Sequence, residues 1–144
     1  MSKIPSLQTV YLLNLTQFPN SSRNKNIEIV SIQADLNIDD PEMYKRIARE
    51  ISADTRDIGM LINLAGVMYD SPNPFLDQSE TKIWQHVRVN MLALVMMTRT
   101  VLPSMVKKKR GLVINMSSIA AYQPLPLMGL YSASKVSYST QGRP

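Results

Sequence analysis

The sequence predicts an α/β fold with a parallel sheet. Three observations carry this. Short β-branched apolar runs alternate with longer segments of helical periodicity. Met60-Leu61-Ile62-Asn63, between Gly59 and Gly66, is a continuous apolar run rather than an alternating one, as in a parallel strand covered on both faces. The chain has 144 residues, 44% of them apolar and 19% charged, a globular balance for one domain with a core of its own.

Taken in order, Val10–Leu15 and Ile27–Gln33 read as strands, short and rich in β-branched and apolar residues. Gln17 to Asn26, polar and carrying Pro19, reads as the loop between them. Asp40-Pro41 starts a helix, with Asp40 as N-cap and proline in the first helical position. Met43, Ile47 and Ile51 follow at four-residue spacing and form its apolar face. Met60–Asn63 is the next strand. Tyr69 to Leu76 holds Pro72 and Pro74 and reads as a loop. Asp77 to Glu80 fits a capping box at the start of a long helix. Ile83, Val87, Asn90, Leu94, Met97, Val101 and Met105 mark that helix's inner face, with Pro103 expected to bend it. Trp84 and the ten methionines read as core filling. Leu112–Met116 is a strand, Ser117 to Leu130 a loop, and a last helix begins at Tyr131.

Composition excludes several chemistries. With no cysteine there is no disulfide, thiolate metal site or cysteine nucleophile, and no metal site is expected. His86, the lone histidine, removes any two-histidine site and is assigned no chemistry. The net charge is +5, yet the only basic cluster is Lys107-Lys108-Lys109-Arg110, at a helix end where cations suit the dipole. No aromatic residue interleaves it, so a nucleic-acid partner is not expected. Val10–Leu15 is far short of a membrane span, and no transmembrane helix or secretory signal is expected. The five glycines lie at least seven positions apart, so there is no glycine-rich phosphate cradle.

In an open parallel sheet ligands bind at the carboxyl ends of strands, which directs attention to Asp35, Asn63 and Ser117-Ser118. Tyr131-Ser132-Ala133-Ser134-Lys135 is a YxxxK, whose two ends lie one helical turn apart on one face. Ser118 stands thirteen residues before Tyr131. Asn63-Leu64-Ala65-Gly66 closes the preceding strand, and Asn90 lies mid-helix between them. This set, in this order, resembles the short-chain dehydrogenase/reductase family. The stretch Asp57 to Val136 carries nearly all of the likeness. Gly59–Asn63, Val101–Val106 and Pro124–Leu127 are similar to the branch that holds the 17-beta-hydroxysteroid dehydrogenases and the very-long-chain 3-oxoacyl-CoA reductases.

The resemblance implies a Rossmann-like doubly wound sheet and a hydride transfer between NADP(H), with NAD(H) as the alternative, and a carbonyl/hydroxyl pair of a lipid or steroid. It makes Tyr131 the proton carrier at the substrate oxygen. A phenol is a weak acid at neutral pH, and the ammonium of Lys135 about 5 Å away would favour its ionised form by roughly 3 kcal/mol at an effective dielectric near 20. Lys135 would also hold the ribose hydroxyls, and Ser118 the substrate oxygen. Asn90 would hold a water in a proton relay to Lys135. Asp35, Asn63, Ala65 and Gly66 would line the adenosine side of the cofactor, with Tyr131 and Lys135 completing the cofactor set.

The match also implies what is missing. The family's TGxxxGxG phosphate turn is absent, Leu64 replaces the second Asn of its NNAG, and only nine residues follow Lys135. Residues 1–144 are therefore expected to form one incomplete domain, with its active-site half at 57–140. It would lack the first βα unit and the C-terminal strands. Val10–Leu15 and Ile27–Gln33 align with the family's second and third strands, so Val10–Leu15 either fills the vacant central slot or leaves the sheet gapped. Leu15 stands where an arginine would read a 2′-phosphate, with Arg23 as a substitute. Three readings follow: an active lipid-carbonyl oxidoreductase, an inert fragment or isoform of one, or an interaction domain. The last would pair with itself or a full-length homologue through the 83–105 helix. The branch implies the endoplasmic reticulum; without its apolar N-terminal segment the expected location is the cytoplasm.

Overall fold

The computed structural model describes residues 8–13, 29–53, 57–123 and 125–139. The Gln17 to Asn26 loop, Leu15, Arg23 and Pro124 lie outside the described residues.

Strand β1 (Gln8–Leu13) pairs with β2 (Ile29–Ala34) in antiparallel fashion, Gln8 opposite Ala34 and Leu13 opposite Ile29. This corrects the expectation that these two strands run parallel. Antiparallel pairing sets the end of β1 beside the start of β2, so the intervening chain need not cross back along the strands. In β2 the alternation is regular: Ile32 and Ala34 are buried while Ser31 and Gln33 face solvent. Helix α1 (Pro41–Ala53) starts as the sequence predicts, with Asp40 Oδ1 accepting the Glu42 N–H at 2.9 Å. Its Met43, Tyr44 and Ile47 enter the core.

Strand β3 (Met60–Asn63) pairs in parallel with β4 (Leu112–Asn115), in register from Met60–Leu112 to Asn63–Asn115. The crossover between them is one continuous helical rod of three parts. These are α2 (Glu80–His86), a π-helical segment (Val87–Leu92) and α3 (Ala93–Lys108). The N-cap of α2 is Ser79, whose hydroxyl accepts the Lys82 N–H at 3.3 Å. Asp77 does not cap it, because Phe75–Asp77 forms a separate 3-10 turn. The rod passes through Pro103 and ends on Lys109, whose φ of 51° lets its N–H meet the last carbonyls. Beyond it, Lys108 and Arg110 both pair with Asp57, closing the rod's end on the start of β3.

The 29-residue rod Glu80–Lys108 is long and apolar enough to cross a membrane, a feature absent from the sequence expectation. Its inner face, Val89, Ala93, Met97, Val101 and Met105, packs instead with β2, α1 and Leu61 in one core. Trp84 is not core filling: it is half exposed, with the Arg88 guanidinium over its ring at 5.6 Å. Met43, Met97 and Met105 are buried, whereas Met68 and Met116 are exposed. After β4 come a 3-10 turn (Ile119–Ala121) and helix α4 (Gly129–Ser139), two residues earlier than the sequence predicts. The described strands thus form two separate pairs, the gapped arrangement.

Candidate active site

The site is built where the β3 end, the π segment and α4 meet. Asn90, fully buried in the π segment, clamps the chain after β3. Its Oδ1 accepts the Val67 N–H at 2.7 Å and its Nδ2 donates to the Val67 carbonyl at 2.9 Å. The same Nδ2 donates to Ser134 Oγ at 2.9 Å, and Ser134 Oγ donates to the Tyr131 carbonyl at 2.7 Å. One amide therefore joins the strand end to the helix that carries Tyr131 and Lys135. A buried amide is costly unless its polar atoms are satisfied, and this one is bonded on both sides.

Lys135 is buried, and its Nζ donates to the Met116 carbonyl at 3.1 Å. The ammonium lies 5.9 Å from the Tyr131 ring centroid. Removal from water pushes its pKa below the usual lysine value. Gly66 also lies against it: a Cβ there would stand 3.2 Å from Lys135 Nζ and 3.5 Å from Asn90 Oδ1. Glycine lets the main chain sit this near the charge. Ala65 and Gly66 are exposed, so the backbone over the ammonium faces solvent.

The other expected residues occupy different places. Ser118 is half-buried, and its hydroxyl accepts the Ala120 N–H at 3.3 Å, capping its own turn. Its neighbour Ser117 donates to the Lys135 carbonyl at 3.1 Å, which ties this turn to α4. Asn63 is buried; its Nδ2 donates to Asn115 Oδ1 at 2.8 Å and to Thr98 Oγ1 at 3.2 Å, bonding β3 to β4 and α3. Asp35 follows β2, in the other strand pair, and its carboxylate accepts the Asn37 N–H at 2.9 Å. Arg88 donates to the Asn37 carbonyl at 3.4 Å, linking that turn to the π segment. Asn90, Gly66, Tyr131 and Lys135 thus form one contact cluster, with Ser118 joined through the preceding Ser117 and Asp35 through Asn37 and Arg88.

A family model described as short chain dehydrogenase matches residues 13–140. The chain belongs to the short-chain dehydrogenase family. A very-long-chain 3-oxoacyl-CoA reductase of Mus musculus is 35% identical over 124 residues, 84% of this chain and 38% of that protein. The inactive hydroxysteroid dehydrogenase-like protein 1 of Homo sapiens is 40% identical over 94 residues, 65% of this chain and 28% of that protein. A metagenomic short-chain oxidoreductase in complex with NADP superposes with a TM-score of 0.66 at 28% identity. That match covers 73% of this chain and 46% of the other. The chain therefore spans about a third of the length of these curated relatives and carries part of the family's fold.

Three residues of this cluster lie outside the sequence expectation. Ser134 was visible only as a letter inside YxxxK. Tyr69 Oη accepts the backbone N–H of Tyr131 at 2.8 Å across 62 positions, a distance no local pattern reports. His86 is fully buried, with ring centroids 5.1 Å from Tyr69 and 6.4 Å from Tyr131. Its place four residues before Asn90, on the same helical face, was the signal available.

Proposed function

We propose that these residues form the proton-handling and ribose-holding part of an NADP(H)-dependent oxidoreductase. It would act on a carbonyl/hydroxyl pair of a lipid, of the 3-oxoacyl-CoA or 17-ketosteroid type. NAD(H) is the alternative cofactor. The observation that carries this is the buried Lys135 ammonium, 5.9 Å from the Tyr131 ring centre and close against the exposed Gly66. The donor set fits the ribose end of a dinucleotide: an ammonium with three donors, a phenol and a glycine that leaves room above them. No glycine-rich turn stands in the 144 residues, and no residue here is assigned to a pyrophosphate.

When bound, the nicotinamide supplies or accepts the hydride. Tyr131 gives or takes the proton at the substrate oxygen. Lys135 holds the ribose hydroxyls and sets its positive charge 5.9 Å from the centre of the Tyr131 ring. Ser118 retains a hydroxyl proton to donate to the substrate oxygen while it accepts from Ala120. Asn90 holds the Val67 backbone and Ser134, and the relay water would approach from the Lys135 side. Asp35, Asn63, Ala65 and Gly66 keep their assignment to the adenosine side, Asn63 through the strand pairing it secures. Residues 57–140 are the active-site half of a single domain.

The test is NADPH fluorescence on the purified chain, followed by absorbance decay with a 3-oxoacyl-CoA or a 17-ketosteroid. Saturable binding, with turnover abolished in Y131F, supports the reading. No binding at millimolar NADPH overturns it for this chain. The second reading, an inert chain acting through association, is favoured by the relatives named as inactive and by an exposed stripe on the rod. That stripe holds Trp84, Leu92, Val95 and Val106, with Arg99 among them. It would pair with a second copy or a full-length homologue. Sedimentation of the chain alone and with such a homologue decides it, a monomer in both removing this reading. The branch likeness assigns the chain to the endoplasmic reticulum, and cell fractionation of the tagged chain tests that.

A further inference from the structure

Tyr131 is the third residue of α4, and the N–H at this position of a helix has no partner within the helix. The usual acceptor is a hydroxyl or carboxylate on the N-cap residue. Here the N-cap is Met128, whose carbonyl accepts the Ser132 N–H at 2.8 Å and whose thioether is a poor acceptor. The missing acceptor comes from the loop after β3, as Tyr69 Oη at 2.8 Å from the Tyr131 nitrogen. Tyr69 stands two residues beyond Val67, the residue that Asn90 clamps. Asn90 also holds Ser134, which bonds the Tyr131 carbonyl. The bonds close a ring: Asn90, Val67, Tyr69, the Tyr131 N–H, the Tyr131 carbonyl, Ser134 and Asn90 again. Beneath it lies His86, its Nδ1 2.8 Å from the Lys82 carbonyl, tilted against Tyr69 and edge-on to Tyr131.

We infer that Tyr69 is a positioning residue for Tyr131, acting as a long-range cap on the first turn of α4, and that His86 is the wedge that holds the Tyr69 ring in place to do so. This rests on the reading of Tyr131 as the proton carrier. The cap fixes the phenol against the strand end that would carry the ribose, which a local N-cap could not do. Loss of the Tyr69 hydroxyl leaves its ring packed on His86 but releases the start of α4.

The test compares the 144-residue chain with Y69F and H86L by amide hydrogen exchange, without cofactor. In Y69F the Tyr131 amide exchanges about five-fold faster, the loss of one ordinary hydrogen bond, while later amides of α4 hold and the melting temperature falls by no more than about 2–4 °C. H86L accelerates the same amide. Where turnover is measured, Y69F lowers kcat about ten-fold with KM for NADPH unchanged, because the proton carrier shifts while the ribose contacts stay. An unchanged Tyr131 amide in Y69F overturns the inference. So does an equal acceleration of every amide along α4, which marks general packing rather than a cap. A chain that exchanges as expected but neither binds NADPH nor turns over refutes the functional reading and leaves the cap standing.

Discussion

Replacing Asn90 by alanine removes one side chain and three hydrogen bonds, at 2.7, 2.9 and 2.9 Å. An ordinary hydrogen bond contributes about 1 kcal/mol net, so the sum is about 3 kcal/mol. Val67 is half-buried, so no full desolvation penalty is added for its backbone groups. For a domain of about 150 residues each kcal/mol shifts the melting temperature by roughly 2–4 °C, so N90A melts about 6–12 °C below the parent. Asn90→Asp separates the bonds: its carboxylate still accepts the Val67 N–H but repels the Val67 carbonyl, and a charge buried there lowers the melting temperature below that of N90A. Circular dichroism melts at fixed salt measure the shift, and amide exchange at Val67 reports whether the clamp opened. An N90A chain within 2 °C of the parent, with the Val67 amide still protected, refutes the claim that this amide holds the strand end to α4.

Gly111→Ala drives a methyl into Met105, within 2.7 Å of its Cβ and onto its Cγ and Sδ, so it costs about 1–3 kcal/mol in a thermal melt. Burial lowers the pKa of His86, so the folded state favours neutral imidazole. The unfolded chain then binds more protons below about pH 6.5, and stability falls as pH drops through the lowered folded value. One such group gives at most about 1.4 kcal/mol per pH unit; melts from pH 7.5 to 5 show this slope, and H86L flattens it. Gly66→Val crowds the Lys135 ammonium, weakening NADPH binding in a fluorescence titration by about ten-fold or more while the melt moves little, since a lysine tip can yield.

What the sequence made legible were features that depend on near neighbours. Asp40 before Pro41 marked the start of α1, and the run at Met60–Asn63 marked a strand, because caps and apolar runs act over a few residues. The YxxxK spacing placed Tyr131 and Lys135 on one face for the same reason. Ser79 outcompeted Asp77 as a cap, since two acceptors two residues apart cannot be ranked without knowing where the 3-10 turn ends. The direction of β1 against β2 is set by pairing partners, which an apolar run does not specify. Trp84 is apolar by type, but the Arg88 guanidinium covers part of its ring and leaves the remainder to solvent. Tyr69 and His86 could not be tied to Tyr131, because the contacts that join them span from 45 to 62 positions.

The π segment at Val87–Leu92 sets the phase of the whole rod. One residue of a helix corresponds to about 100° of rotation. The bulge therefore turns α2 relative to α3, so that His86 can face Tyr69 while Val101 and Met105 still face the sheet. The same residues wound as plain α-helix through Val87–Leu92, with none lost, would keep every side chain chemically intact and turn His86 out from under the tyrosines by about that angle. The identity of the site thus depends on the local winding of the rod as well as on the residues themselves.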